Sequence, residues 1–329
     1  MRGTMRRPVV GAMLAATMAF AVAACGSSDN DSSSSSSTPA ASTSAASTSA
    51  AAPAQPGKGK PPVTIGTKDF TEEFILGELY KGALEAKGYT VNLKKNIGAT
   101  EIIDTALTSH KIDAYPEYTG ESVATVAKRN EPAKTADEEY QLAKEFYEGR
   151  GQTVSEPTPF EDVDAIATTK AFATKNNLTT MEDLKKIGSF SLGARPEFKG
   201  RQQGLAGMKK VYGINNAKFR QLALGVQYQA LDTGKVDAAN IFTTDAQLAS
   251  GKYTVLKDPK GVFGFQNVSF VIDKDKLAAL GGDQFMAIIN SVNKLLTTDA
   301  ITAMNKAVAI DKQDEATVAK QFLTANKLV

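Results

Sequence analysis

The sequence predicts an α/β fold of two similar lobes facing one cleft, and three observations carry that expectation. Residues 106–121 read ALTSHKIDAYPEYTGE and residues 230–245 read ALDTGKVDAANIFTTD, a repeat at an offset of 124 with six of sixteen positions identical. Ser109/Thr233, Ile112/Val236, Tyr118/Phe242 and Glu121/Asp245 are conservative pairs. Short apolar runs alternate with helical stretches from Val63 to Tyr118, the order that builds parallel βαβ units. From Lys274 onward the chain reads as three or so helices with no strand signal, so a chain that visits a second lobe comes back to the first.

The N-terminus stands apart. Arg2, Arg6 and Arg7 precede an apolar run of small residues, Val9 to Ala24, too short for a comfortable membrane span of roughly 20 residues. It ends in Val22-Ala23-Ala24-Cys25-Gly26, similar to the lipobox of bacterial lipoproteins, in which the cysteine becomes the acylated first residue. Cys25 is the only cysteine, so no intramolecular disulfide forms. The following Ser/Ala/Thr/Pro tract lacks aromatics and has almost no large aliphatic residue, so it reads as a disordered tether. The expected organisation is a signal segment 1–24, an acylated cysteine and tether 25–61, a first lobe from 62–161 and 267–329, and a second lobe from 162–266. Two connecting strands would then act as a hinge.

Each element has a local reason. Val63-Thr64-Ile65 is a strand. Thr71 to Lys87 is a helix with acids in its first turn and Gly88 at its end. Val91 and Leu93 alternate as a second strand, and Thr100 opens a helix to Ser109. The first repeat copy follows, its strand beginning at Ile112. Thr135-Ala136-Asp137-Glu138 is a capping box for a helix to about Gly149. Residues 162–169 cross to the second lobe, Thr180 opens a short helix, and Phe190 to Gly193 is a strand. Arg195 to Gly204 is a charged, Gly-containing loop ahead of a helix to Tyr212. Phe219 to Leu222 is a strand, and the second copy has its strand from Val236. Tyr253 to Leu256 is a strand, and another ending near Ile272 crosses back.

The chemistry excludes most enzymes. The formal charge is +2, three of the positive charges belong to the N-terminal segment, and no basic stripe suits a nucleic acid. The one histidine, His110, sits in a turn where the second copy has Gly234. A Cys/His dyad, a Ser-His-Asp triad and a zinc site therefore lack their parts. There is no Walker loop and no GxGxxG after a strand. What remains is a set of residues at strand ends, where open α/β sheets bind ligands: Lys68, Asp69, Tyr115, Tyr118, Glu121, Arg201, Phe242 and Asp245. No enzyme, metal or cofactor is expected.

Several stretches resemble the glycine betaine/choline-binding proteins of osmoprotectant ABC importers: GTKDFTEEFILGELY (66–80), IGATEIID (97–104), DAYPEYTG (113–120), PEFKGRQQGLAGMKKVYG (196–213) and ATVAKQFLTANKL (316–328). The resemblance implies a type II periplasmic-binding-protein fold, an ABC permease as partner and an aromatic box that holds a quaternary ammonium through cation–π contacts. It implies that Lys68 and Arg201 hold a carboxylate and that Tyr118 is a box tyrosine. Phe242 keeps a second ring without its hydroxyl. Asp164, Gln266 (or Phe265 beside it) and Glu121 depart from the family pattern. Two buried acids would call for a cationic or polyhydroxylated ligand, with Tyr118 and Phe242 facing each other across it. On that reasoning the solute carries N–H or O–H groups and glycine betaine binds weakly. The expected protein is a lipid-anchored, monomeric solute-binding protein on the outer face of the cell membrane. A non-transport lipoprotein reusing the fold is the alternative.

Overall fold

A computed structural model describes residues 55–129 and 133–329. The expected signal segment, Cys25 and most of the tether lie outside the described residues. Gln55 to Lys60, assigned to the tether above, already belong to the folded part. The Gly57 amide donates to the Lys87 carbonyl at 3.0 Å, and Gln55 Nε2 donates to the Ala86 carbonyl.

Ten strands among the described residues form two five-stranded sheets. The first contains β1 (Val63–Gly66), β2 (Val91–Lys94), β3 (Ala114–Tyr118) and β4 (Gln152–Val154). The second contains β5 (Asp164–Thr169), β6 (Phe190–Ala194), β7 (Ala217–Gln221), β8 (Ala238–Phe242) and β9 (Tyr253–Leu256). The chain then returns to the first sheet as β10 (Val268–Asp273). The orders are β2-β1-β3-β10-β4 and β7-β6-β8-β5-β9, one topology twice. The leading three strands of each are parallel, and the fourth runs against them. The two crossing segments touch at the antiparallel bridge Glu161↔Asn267.

The repeat is a backbone device. His110 and Gly234 both take left-handed φ, 56° and 67°, at the same turn position. Lys111 N and Lys235 N each donate to a carbonyl five residues back, Ala106 and Ala230, at 2.9 Å. The strands begin at Ala114 and Ala238, two residues later than the apolar pattern suggests. The reason is the aspartate before each. Asp113 Oδ2 accepts from Thr64 N and Asp237 Oδ2 from Ser191 N, both at 2.7 Å, so a carboxylate replaces the first ladder carbonyl.

Two cores support the sheets. α1 (Thr71–Glu85) buries Ile75, Leu76, Leu79 and Leu84 against Phe285, Ile289 and Leu323. These come from the helical C-terminus, which has four helices after β10: Lys274–Leu280, Asp283–Asn293, Thr298–Ala309 and Glu315–Ala325. The second sheet buries Ile166, Leu192, Phe198, Met208 and Phe263. Each such side chain contributes roughly 1.5–3 kcal/mol. α2 (Thr100–Thr108) packs on β3. The helix Ala136–Glu148 is capped as expected by Thr135, whose hydroxyl accepts from Glu138 N. Glu138 reaches one residue further than a capping box requires, to Lys134 N.

Candidate functional site

The carboxyl ends of β1, β3, β6 and β8 converge on a narrow cleft that leaves about 40 Å³ for a water-sized guest in this conformation. All seven expected ligand-binding residues, Lys68, Tyr118, Glu121, Asp164, Arg201, Phe242 and Gln266, line it, as does Asp69. Tyr115 does not. The strand alternation turns it into the core, where its hydroxyl meets that of Tyr147 at 2.9 Å. Asp245 stands behind Phe242 and accepts from Phe242 N at 3.0 Å.

One side of the cleft is aromatic. Phe70, which sequence reasoning passed over, stacks on Tyr118 with centroids 6.0 Å apart and on Phe242 at 5.2 Å. Tyr118 and Phe242 therefore do not face each other across free space, as expected above, because Phe70 stands between them. It is placed there by the tight step from β1 into α1. Lys68 Nζ lies 4.7 Å from the Tyr118 ring centre and Arg195 Cζ 5.2 Å from that of Phe242. The Tyr118 hydroxyl donates to Glu72 Oε1 at 2.9 Å.

The other side is an ionic lattice. Arg195 grips Asp164 with both terminal nitrogens, at 2.6 and 2.7 Å, and donates to Asn240 Oδ1. Arg201 bonds Glu121 at 2.9 Å and Glu101 at 2.8 Å. Burial pushes the Glu121 carboxyl up, but Arg201, Lys68 and Arg195 together outweigh it and hold the group below its ordinary value. Gln266 is fully used: Oε1 accepts from Glu121 N, and Nε2 donates to Gln203 Oε1 and to the Phe263 carbonyl. Gly120 is required here, since a Cβ on it would lie 2.6 Å from the Phe265 carbonyl oxygen. Lys68 is paired as well, with Glu117 beneath it. The expectation that Glu121 and Asp164 await a cationic ligand is therefore corrected, because Arg201 and Arg195 already compensate them.

A signal for Arg195 was present in the sequence. Ile65 pairs with Ala114 as Leu192 pairs with Ala238, the repeat mate of Ala114. Leu192 thus corresponds to Ile65, and VTIGTK (63–68) matches FSLGAR (190–195), so Arg195 is the counterpart of Lys68. The repeat extends upstream at an offset of 127, where an insertion hides it. Asp162 and Leu224 also line the cleft without having been singled out.

No helix among the described residues is long and apolar enough to cross a membrane. A family model described as the substrate binding domain of the ABC-type glycine betaine transport system matches residues 61–325. The glycine-betaine-binding protein of Pseudomonas aeruginosa is 30% identical over 277 residues, 80% of this chain and 88% of that protein. Glycine betaine-binding protein YehZ of Escherichia coli is 28% identical over 275 residues, 80% of this chain and 90% of that protein. A crystal structure described as a glycine betaine/carnitine/choline ABC transporter superposes with a TM-score of 0.66 at 25% identity, covering 81% of this chain and 99% of that one. The two mixed sheets are those of the type II periplasmic binding proteins. The repeated sheets, the cleft between their strand ends and these likenesses agree: the chain belongs to the family of substrate-binding domains of ABC-type glycine betaine transport systems, a transport family and not an enzyme family.

Proposed function

We propose that the protein, the substrate-binding component of a glycine betaine-type ABC transporter, takes a small cationic or zwitterionic amine into this cleft. The observation that carries the reading is the opposition of two walls. Tyr118, Phe70 and Phe242 offer ring surface to a cationic head, worth about 0.5–2 kcal/mol per ring. Arg201 stands opposite, beside Glu121 and Glu101, for an anionic or polar end, while Arg195 lies over the Phe242 ring. Lys68 is committed to Glu117, so it acts on the solute through the Tyr118 ring. With Glu121, Asp164 and Gln266 satisfied within the protein, the reason for disfavouring a trimethylammonium head falls away. Glycine betaine and choline are therefore the first solutes to test. Calorimetry on the full chain should show saturable binding that Phe242→Ala weakens by roughly tenfold, about 1.4 kcal/mol. Binding of an uncharged sugar with no response to either quaternary amine would overturn the amine class.

Two finer readings accompany this one. The chain is anchored through Cys25 by a diacylglyceryl group, since two acyl chains hold where one is marginal. Retention of Cys25→Ala on membranes would refute the anchor. The segments 62–161 with 267–329 and 162–266 move as two lobes about the crossing strands. Their duplicated topology and the Glu161↔Asn267 bridge support this, and solution scattering with and without solute tests it.

A further inference from the structure

Beside the cleft, and sharing Phe70, Asp162, Leu224 and Phe242 with it, opens a second chamber of about 240 Å³. Its charge pattern is the reverse of its neighbour's. In the first cleft Glu121 and Asp164 each touch an arginine. In the second, Glu72, Asp162 and Asp245 line the wall, and among the described residues none lies within 4 Å of a lysine or arginine nitrogen. They are held by neutral donors alone. Glu72 accepts from the Tyr118 hydroxyl, the Thr244 hydroxyl at 2.6 Å and Asn305 Nδ2 at 2.8 Å. Asp162 accepts from Thr244 N at 3.2 Å, and Asp245 from Phe242 N and from the Tyr228 hydroxyl at 2.9 Å.

A second observation points the same way. Two side-chain oxygens of lining residues, Gln227 Oε1 and Asn305 Oδ1, make no hydrogen bond, and both residues are only 6% exposed. The Asn305 amide cannot be turned to hide this, because its nitrogen is committed to Glu72 and to the Thr244 carbonyl. Acceptors without donors, beside carboxylates without cations, call for a positively charged donor. A metal ion fits poorly, since no group of three His, Cys, Asp or Glu among the described residues is arranged to hold one. A quaternary ammonium has no N–H to give. Burial raises the carboxyls of Glu72, Asp162 and Asp245 above their ordinary values, as expected for anions lacking a counter-ion.

We propose that this chamber is a second subsite, for a primary or secondary ammonium group, and that the solute can carry two cationic ends. One end lies against Phe70 and Phe242, and the other reaches Asp245, with the Gln227 and Asn305 amides buried behind the wall. The inference rests on the amine reading of the first cleft. Lys312, exposed at the chamber mouth with its Nζ on the Ala309 carbonyl, is the one cation on the described wall and competes with such an end.

The test is calorimetry of the full chain with 1,4-diaminobutane, butylamine and choline. The diamine should bind roughly tenfold tighter than butylamine. Asp245→Asn should erase most of that advantage and leave choline within about threefold. Lys312→Met, an exposed change that serves even if Asp245→Asn folds poorly, should tighten the diamine severalfold and leave choline alone. A diamine no tighter than butylamine, or an advantage untouched by both substitutions, overturns the subsite. So does proton uptake on choline binding, read in two buffers of different ionisation heat, if the diamine then has no advantage. Choline binding without a diamine advantage sinks the subsite alone. Failure of all three ligands removes the amine reading as well.

Discussion

The two halves of the molecule build one device twice and finish it differently. In each, a strand beside the repeat strand leads to a cation just past its end, with a glycine two residues before that cation: Gly66 and Lys68, then Gly193 and Arg195. A Cβ on Gly66 would strike Ile112 at 2.7 Å, and one on Gly193 would strike Leu222 at 2.5 Å and press on Val236 at 3.0 Å. Each cation reaches the aromatic that ends the repeat strand, Tyr118 or Phe242. The acids differ. Lys68 is answered by Glu117 from the strand beside it, and Arg195 by Asp164 from β5. Glu121 is held by Arg201, while its mate Asp245 has no cation. The backbone grammar fixes where a charge and a ring stand, and the origin of the counter-charge decides which half keeps negative charge to spare.

The sharpest way to break the likeness is to remove its two cations in turn. Arg195→Ala leaves Asp164 buried with only Asn240 and should cost about 3–5 kcal/mol in urea unfolding. Lys68→Ala should cost less. Burial already raises the Glu117 carboxyl, with Lys68 opposing, so this acid can take a proton once the lysine is gone. Equal losses would show that the two pairs are equivalent after all.

Next come the repeat mates Glu121 and Asp245, whose pH dependences should oppose each other. Burial lifts Asp245 to about 6. Its folded value exceeds the unfolded one, so it favours the folded state only while protonated and withdraws that support as pH rises through 6. Asp245→Asn should therefore gain up to about 3 kcal/mol at pH 8 and nothing near pH 4. Glu121 is lowered on balance, so its contribution is present above the unfolded value and lost as pH falls through the lower folded one. Glu121→Gln should cost stability at pH 7 and little in acid. Melting curves across that range decide both signs.

The smallest effect concerns the shared turn. His110→Gly should stabilise, and Gly234→Ala should destabilise, each by about 1 kcal/mol or less, because both positions hold left-handed backbone. Melting shifts of the same sign would show that the turns are not equivalent.

Much of this architecture was legible from residues alone. The 124-residue offset located β3 and β8, and apolar alternation located β1, β2 and β6, because strand and helix periods are local properties. The cleft was legible as a set of strand ends. Its wiring was not. That Arg195 would take Asp164, that Arg201 would take Glu121, or that Phe70 would slide between two rings depends on which ends meet across the cleft. No spacing within one strand encodes that. The match of VTIGTK to FSLGAR was readable but lay behind an offset of 127 instead of 124. Gln266 was named as a departure, yet its amide serves Glu121 N and Gln203 and stiffens the loop without presenting a free acceptor.

The bridge between Glu161 and Asn267 has a mechanical consequence. Asn267 Nδ2 also donates to the carbonyls of Thr158 and Phe160, so the outgoing and returning crossings are sewn to each other. A door hung on two pins swings about one axis and cannot slide. If the two segments move as proposed, crossings tied in this way would bend together, which would leave few open geometries to wander among. On the proposed two-lobe motion, a solute that drew the door shut would surrender little configurational freedom, and more of its contact energy would survive as affinity.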